Sequence, residues 1–231
     1  MSRRIEELGW RWTPMGEISL RRRFEPVAGV EVYEVKLDEE FLMSSLFPVA
    51  EIALADLALA RVRGEDLSVV VGGLGLGYTA AAALKDPRVG ELTVVEYTKA
   101  VIDWHREGLI PDTAGLAEDE RVDLVCDDFF ARIGDSGTDP VDVVLLDIDH
   151  SPRHVLHRPH TAFYTVEGLR ALSRQLSEGG VFAMWSDDPP EEEFSALLRE
   201  VFCDVEAQRV WFDNPFTGGR SSNTVYLASR R

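Results

Sequence analysis

The stretch Val69-Val-Val-Gly-Gly-Leu-Gly-Leu-Gly-Tyr-Thr-Ala80 constrains this chain more than any other. It passes from an apolar, β-forming segment through Gly72, Gly73, Gly75 and Gly77 into a run of alanines. Glycines after a strand permit left-handed turns and let a ligand come close to the backbone. A helix that follows offers unpaired N–H groups and the positive end of its dipole. A strand, a glycine loop and a helix in this order predict an α/β fold.

The rest of the chain extends that pattern. After Leu67–Val71, β-forming runs at Glu91–Glu96, Arg121–Cys126, Val141–Leu146 and Val181–Trp185 alternate with helical segments. Those segments are Tyr78–Leu84, Lys99–Gly108, Val166–Leu176 (stopping at Gly179-Gly180) and Glu191–Phe202. Val141–Leu146 is almost wholly apolar, as expected of a parallel strand covered on both faces. Val205–Phe212 and Asn223–Ala228 read as a closing hairpin. Strand–helix alternation predicts a doubly wound, Rossmann-like parallel sheet, with ligands at the carboxyl ends of its strands. The first residues differ. Glu17–Phe24 and Val30–Lys36 alternate around Glu25-Pro-Val-Ala-Gly29, predicting a β-hairpin, with a short third strand near Glu40–Met43. The expected organisation is a small N-terminal β-hairpin subdomain over residues 1–48, then a catalytic domain over 49–231 that opens with a helix at Pro48–Ala60.

Acids stand at successive strand ends. Glu96, followed by Tyr97, ends the second strand, where a carboxylate can accept two ribose hydroxyls. Asp127, Asp128 and Phe129 follow the third, where an acid can accept from an adenine amino group and a ring can pack on the base. Asp147 ends the fourth, with Asp149 and His150 close behind. Taken singly, each acid reads equally as a helix cap or a solvated loop residue. The glycine loop alone leaves three readings: a tight turn, a dinucleotide site matching G-x-G-x-x-A at Gly75-x-Gly77-x-x-Ala80, and an S-adenosyl site. The third and fourth acids favour the last, since a nicotinamide dehydrogenase needs neither.

Charge and composition exclude several classes. The net charge of −17 opposes nucleic-acid binding, and Arg21-Arg22-Arg23 is too short a basic cluster to overcome it. No apolar run approaches the roughly 18 residues of a membrane span. Met1-Ser-Arg-Arg has no apolar stretch behind it, as a secretory signal would. Cys126 and Cys203 follow no metal or redox spacing and are expected to be small buried hydrophobes in a reducing, cytoplasmic setting. The segment His150-Ser-Pro-Arg-His-Val-Leu-His-Arg-Pro-His160 matches no standard metal site, so no metal is expected there. It reads as a loop beside the pocket or a plain surface loop.

Over residues 54–186 the chain resembles the spermidine synthase (polyamine aminopropyltransferase) family, which has a class I methyltransferase fold. The resemblance rests on Gly72-Gly-Leu-Gly-Leu-Gly77 for a G-G-G-D-G-G loop, Val94-Val-Glu96, Asp127-Asp-Phe-Phe130 for G-D-x-F, and Asp147-Ile-Asp-His-Ser-Pro152 for D-S-S-D-P. Ala55-Asp-Leu-Ala-Leu59 is similar to the family's A-N-L-P-L, and Phe163 through Val181 to its F-x-x-E…P-G-G-V stretch. The resemblance implies that Glu96 binds ribose, that Asp128 or its neighbour Asp127 binds adenine, and that Asp147 serves the reacting amine. The implied co-substrate is S-adenosylmethionine or its decarboxylated form, the acceptor a small-molecule amine, and the assembly a homodimer.

The departures bear on the reaction. The family's loop aspartate falls on Gly75, the second acid of D-S-S-D falls on His150 with Asp149 adjacent, and the Q-x-T-E-R-D-E-F-x-Y segment that helps hold the polyamine is not recognisable, Lys36-Leu-Asp-Glu-Glu-Phe41 being at best a faint echo of it. Decarboxylated S-adenosylmethionine ends in an ammonium and needs an acid nearby, whereas the intact donor carries a carboxylate that a glycine loop can hold. Aminopropyl transfer is therefore the expectation from resemblance, and methyl transfer to a small molecule is the alternative. A non-catalytic S-adenosyl-binding module and an NAD-dependent dehydrogenase are the remaining readings.

Overall fold

A computed structural model describes residues 5–133 and 139–231, so the charged residues at 1–4 lie outside the described part. The N-terminal residues form a four-stranded antiparallel sheet, β1 (Glu6–Thr13), β2 (Gly16–Glu25), β3 (Val30–Leu37) and β4 (Glu40–Ser44), in that spatial order. The expected hairpin is β2–β3, closed at Glu25↔Val30, with the third strand as β4. The sequence reading did not anticipate β1. Leu8, Trp10 and Trp12 alternate with Gly9, Arg11 and Thr13, so its apolar face is present in the sequence, but only Leu8 packs on the core while Trp10 and Trp12 stay exposed. Pairing with β2 recruits it. Ile18, Leu20, Tyr33 and Val35 point into the same core as Leu54 and Val71, so the small sheet packs on the larger unit.

Helix α1 (Val49–Leu59) follows, and then a seven-stranded sheet begins. Its strands are β5 (Leu67–Gly72), β6 (Val89–Glu96), β7 (Val122–Cys126), β8 (Val141–Leu146), β9 (Leu176–Ser186), β10 (Cys203–Asn214) and β11 (Gly219–Ser229). They lie in the order β10-β11-β9-β8-β5-β6-β7. The pairs from β9 to β7 are parallel, and the terminal β10–β11 hairpin adds antiparallel strands against β9. Helices α2 (Tyr78–Ala83), α3 (Lys99–Arg106), α4 (Phe129–Ile133), α5 (Val166–Gln175) and α6 (Glu192–Val201) make the connections. One apolar cluster covers the face under α1–α3, and a second, rich in aromatics, covers the face under α5 and α6. No helix among the described residues is long and apolar enough to cross a membrane.

Two local expectations are corrected. Helix α5 ends at Gln175, and Gly179 and Gly180 belong to β9. Cys126 is exposed and Cys203 half-buried, because one ends the sheet's edge strand β7 and the other begins the opposite edge strand β10.

The topology fixes where a ligand can sit. The chain runs outward from β5 through β6 to β7 and then crosses back to place β8 on the other side of β5. A crevice opens where the winding reverses, at the carboxyl ends of β5 and β8. Both ends are held by buried, two-sided strands; Val143 and Leu145 of β8 have no exposed surface. Leu145→Ala is expected to cost about 2–5 kcal/mol, seen as a lower urea midpoint with an unchanged slope.

Candidate active site

The glycine loop is shaped by contacts that leave no room for side chains. Gly73 has a φ of +95°, and a Cβ there would lie 2.2 Å from the carbonyl oxygen of Asp147. Behind the loop, His105 Nε2 donates to the Gly75 carbonyl at 3.0 Å and Thr113 Oγ1 donates to that of Leu76 at 2.8 Å. Burial lowers the pKa of His105, consistent with a neutral ring acting as donor. In front, the Met43 sulfur of β4 accepts the Leu76 N–H at 3.0 Å. A Cβ on Gly75 would come within 2.7 Å of that sulfur. Met43 thus fills the space an acidic side chain at position 75 would need.

A cleft of about 410 Å³ opens beside the loop. Gly73, Gly75, Glu96, Tyr97, Asp128, Phe129, Asp147 and His150 line it, while Gly72, Gly77, Asp127 and Asp149 do not. Glu96 accepts from Leu74 N–H through Oε2 at 3.0 Å and from Thr98 N–H through Oε1 at 2.8 Å. The Gly75 N–H and the Thr98 hydroxyl also donate to this carboxylate, which lines the cleft. Desolvation raises the Glu96 pKa, and these backbone N–H groups oppose that rise. Asp128 caps α4 through Oδ1, which accepts from Phe130 N–H at 2.9 Å. Asp127 is turned outward and lies 3.5 Å from Arg132. Phe129 lies beneath Gly72, where a Cβ would meet its ring at 2.7 Å. Phe130 stands beside it, its ring 4.1 Å from that of His160.

Asp149 organises the histidine loop. Its carboxylate accepts from Leu156 N–H at 2.7 Å, from His160 Nδ1 at 2.8 Å and from the Tyr164 hydroxyl at 2.8 Å. The ordered loop places His150, His157 and His160 on the cleft wall. His150 Nε2 meets Glu40 Oε1 at 3.2 Å, linking this loop to the N-terminal sheet. Among the described residues, no three His, Cys, Asp or Glu side chains gather closely enough to hold a metal ion.

Asp147 has two neighbours that sequence reasoning missed, Thr79 and Glu51. Its Oδ2 accepts from Thr79 Oγ1 at 2.7 Å, and Glu51 of α1 and Asp187 beyond β9 line the same end of the cleft. Asn223 Nδ2 donates to Asp187 Oδ1 at 2.8 Å. Glu51 is only 8% exposed, and its Oε2 has no hydrogen-bond partner. The indole N–H of Trp185, also on the cleft wall, is unpartnered as well. Two buried polar atoms left open in one cleft mark where a polar ligand completes the site. A signal for Glu51 exists in the sequence. It lies three, four and seven residues before Leu54, Ala55 and Ala58, which makes it a lone acid on the buried face of α1.

Burial pushes the Glu51 carboxyl up from 4.5 to about 8, and the nearby Asp147 and Asp187 charges add to the rise. Asp147 is raised too, chiefly by desolvation. A raised carboxyl pKa means that the folded state binds more protons than the unfolded chain between the two values. Stability is therefore lost as pH climbs from about 4.5 to about 8. Glu51→Gln removes that loss. The ligand-free variant is expected to melt several degrees above the parent at pH 8, where each kcal/mol is about 2–4 °C in a domain of this size. The gap should close near pH 5. A gap independent of pH in thermal scans would count against the buried-charge account.

Comparison with known proteins fits this geometry. Residues 51–207 match the spermine/spermidine synthase domain family model. The polyamine aminopropyltransferase of Bacillus mycoides is 33% identical over 141 residues, covering 60% of this chain and 46% of that protein. Polyamine aminopropyltransferase 2 of Pseudomonas aeruginosa is 28% identical over 167 residues, covering 69% and 46%. The chain thus spans about half the length of the curated relatives it matches. A spermidine synthase crystallised with the transition-state analogue AdoDATO superposes with a TM-score of 0.75 at 19% identity, covering 98% of this chain and 73% of that one. The spermidine synthase of Thermotoga maritima gives the same score at 18% identity. The matched family model spans both the glycine loop with its ring of strand-end acids and the α1 acid below it: this chain belongs to the spermine/spermidine synthase domain family.

Proposed function

We propose that this chain is a transferase that moves the aminopropyl group of decarboxylated S-adenosylmethionine to an amine. The carrying observation is the acidic lining of the cleft. Five carboxyl side chains line it, Glu51, Glu96, Asp128, Asp147 and Asp187, and among the described residues no Lys or Arg does. Such a wall attracts an ammonium and repels a carboxylate. It compensates for the absence of an acid at Gly75, because Glu51 brings a carboxylate to the same cleft from α1. Family membership supports the same reading, as does the naming of several matched relatives as polyamine aminopropyltransferases.

In this reading Glu96 holds the ribose hydroxyls, and Asp128 and Phe130 flank the adenine, the ring role passing to Phe130 because Phe129 is buried beneath Gly72. Asp147 faces the acceptor nitrogen. The nitrogen lone pair attacks the propyl carbon bonded to sulfur. That C–S bond breaks, its electron pair stays on sulfur as a neutral thioether, and the proton shed by nitrogen passes to Asp147. The leaving group is good, so alignment and exclusion of water supply most of the rate. The raised pKa of Asp147 suits it to accept that proton near neutrality.

A second reading, methyl transfer from intact S-adenosylmethionine, draws on Gly75, which leaves the loop itself without an acid. Mass spectrometry of products separates the two. Methylthioadenosine is expected from the decarboxylated donor, and S-adenosylhomocysteine from the intact donor would reverse the assignment. Asp147→Asn is expected to lower turnover about a hundredfold or more while donor affinity, by calorimetry, stays within a few-fold. A parallel loss of affinity would remove Asp147 from the chemical step. Glu96→Ala is expected to weaken donor binding about tenfold or more, through loss of hydrogen bonds to a charged acceptor. Unchanged affinity would refute the ribose assignment.

A further inference from the structure

We propose that Thr79 is the positioning residue for the proton-accepting carboxylate: its hydroxyl holds one oxygen of Asp147 so that the other is presented to the acceptor nitrogen. This rests on the reading of Asp147 given above and concerns how that side chain is held. The Asp147 backbone is fixed, with its N–H on the Gly72 carbonyl and its own carbonyl against Gly73. Its carboxyl group can still turn about two single bonds, and most of its neighbours do nothing to stop it. Glu51 of α1 and Asp187 beyond β9 share this end of the cleft, but an ionised acid donates no hydrogen bond. His150 is turned to Glu40, and Asp149 is engaged by Leu156, His160 and Tyr164. Thr79 Oγ1, 2.7 Å from Oδ2, is the one hydrogen-bond donor to the Asp147 carboxylate among the described residues.

The surroundings of Thr79 direct its hydroxyl to that contact. Thr79 is the second residue of α2, is 3% exposed and is β-branched, so its side chain has few rotamers. A threonine in a helix commonly turns its hydroxyl back to a carbonyl three or four residues earlier. Here those carbonyls, of Leu76 and Gly75, already accept from Thr113 and His105. The Thr79 hydrogen is left for Asp147 Oδ2, with the Glu51 carbonyl farther off at 3.4 Å. A hydroxyl carries one hydrogen, and a short contact to a charged acceptor is the stronger use of it. Held through Oδ2, the carboxylate keeps Oδ1 for a ligand. The same bond favours the ionised form of Asp147 against desolvation, which keeps the group ready to take a proton.

Steady-state kinetics on the full chain, with decarboxylated S-adenosylmethionine and 1,4-diaminobutane, test this in two variants. Thr79→Val keeps the shape and removes the hydroxyl; Thr79→Ser keeps the hydroxyl. Thr79→Val is expected to lower kcat about tenfold or more, as a misplaced reacting group does. Its affinity for methylthioadenosine, by calorimetry, is expected to stay within about twofold of the parent's, since the hydroxyl serves Asp147. The acid limb of its kcat profile is expected to move up by about one pH unit, because losing a donor to the charged form raises a carboxyl pKa. Thr79→Ser is expected to recover most of kcat and the parent's acid limb. A role confined to packing would move neither the limb nor the split between turnover and affinity. An unmoved limb, an unchanged kcat, an equal loss of methylthioadenosine affinity, or a serine variant no better than the valine one overturns the proposal. If Thr79→Val does not fold, Thr79→Ala takes the same measurements. If the parent forms no product, the transfer reading falls, and carbon-13 titration of the aspartate carboxyls in the free protein decides this inference. With the resonance assigned through Asp147→Asn, a midpoint of about 6 in the parent that rises in Thr79→Val supports it, and equal midpoints overturn it.

Discussion

The site depends on a single close approach between two parallel strands. At the carboxyl ends of β5 and β8 the Asp147 N–H donates to the Gly72 carbonyl at 2.8 Å, and the Asp147 carbonyl lies where a Cβ of Gly73 would be. Any side chain at position 73 would push these backbones apart. That one constraint puts Asp147 beside the glycine loop. It also turns the chain at Gly73 so that Leu74 can donate to Glu96, which ties the end of β6 to the same turn. Three strand ends are thus locked together before any ligand arrives, which is how a site of this kind limits reorganisation during reaction.

Charge in the cleft is held at the expense of stability. Glu51 and Asp147 are raised carboxyls close enough to resist joint ionisation, and no guanidinium or ammonium of the described cleft residues relieves them. Elsewhere the chain handles its acids differently. Glu34, almost fully buried in the N-terminal sheet, is paired with both Arg21 and Arg23. Asp149, equally buried, is satisfied by three donors. The contrast separates acids that hold the fold from acids left open to a ligand.

Much of this was legible in the sequence because it is written in short range. The glycine loop, the apolar run of β8 and the acids ending β6 and β8 each follow from a few adjacent residues, and the winding of the large sheet follows from their alternation. What escaped the reading depends on distant partners. Strand β1 leaves Trp10 and Trp12 of its apolar alternation exposed and is placed by its pairing with β2. Asp149 is adjacent to the site in sequence, yet a loop folding back over eleven residues occupies its carboxylate. Glu51 reaches the cleft because α1 packs against α2 and strands β8 and β9, and nothing near residue 51 in sequence mentions those partners. Gly75 was readable as a missing acid, but the thioether that occupies the vacated space comes from position 43.

That thioether has a consequence for modularity. The Leu76 amide, part of the glycine loop, is satisfied by a sulfur from β4, and the N-terminal sheet shares its apolar core with the strands that carry the loop. The larger unit therefore does not contain every wall of its own cleft. Cutting the chain at the start of α1 would strip one wall of the cleft, uncover the Leu76 N–H and expose Leu54 and its neighbours together. Transplanting the loop into another Rossmann-like scaffold would require carrying β4 with it, so what looks in sequence like a portable glycine motif is the visible half of a two-part device.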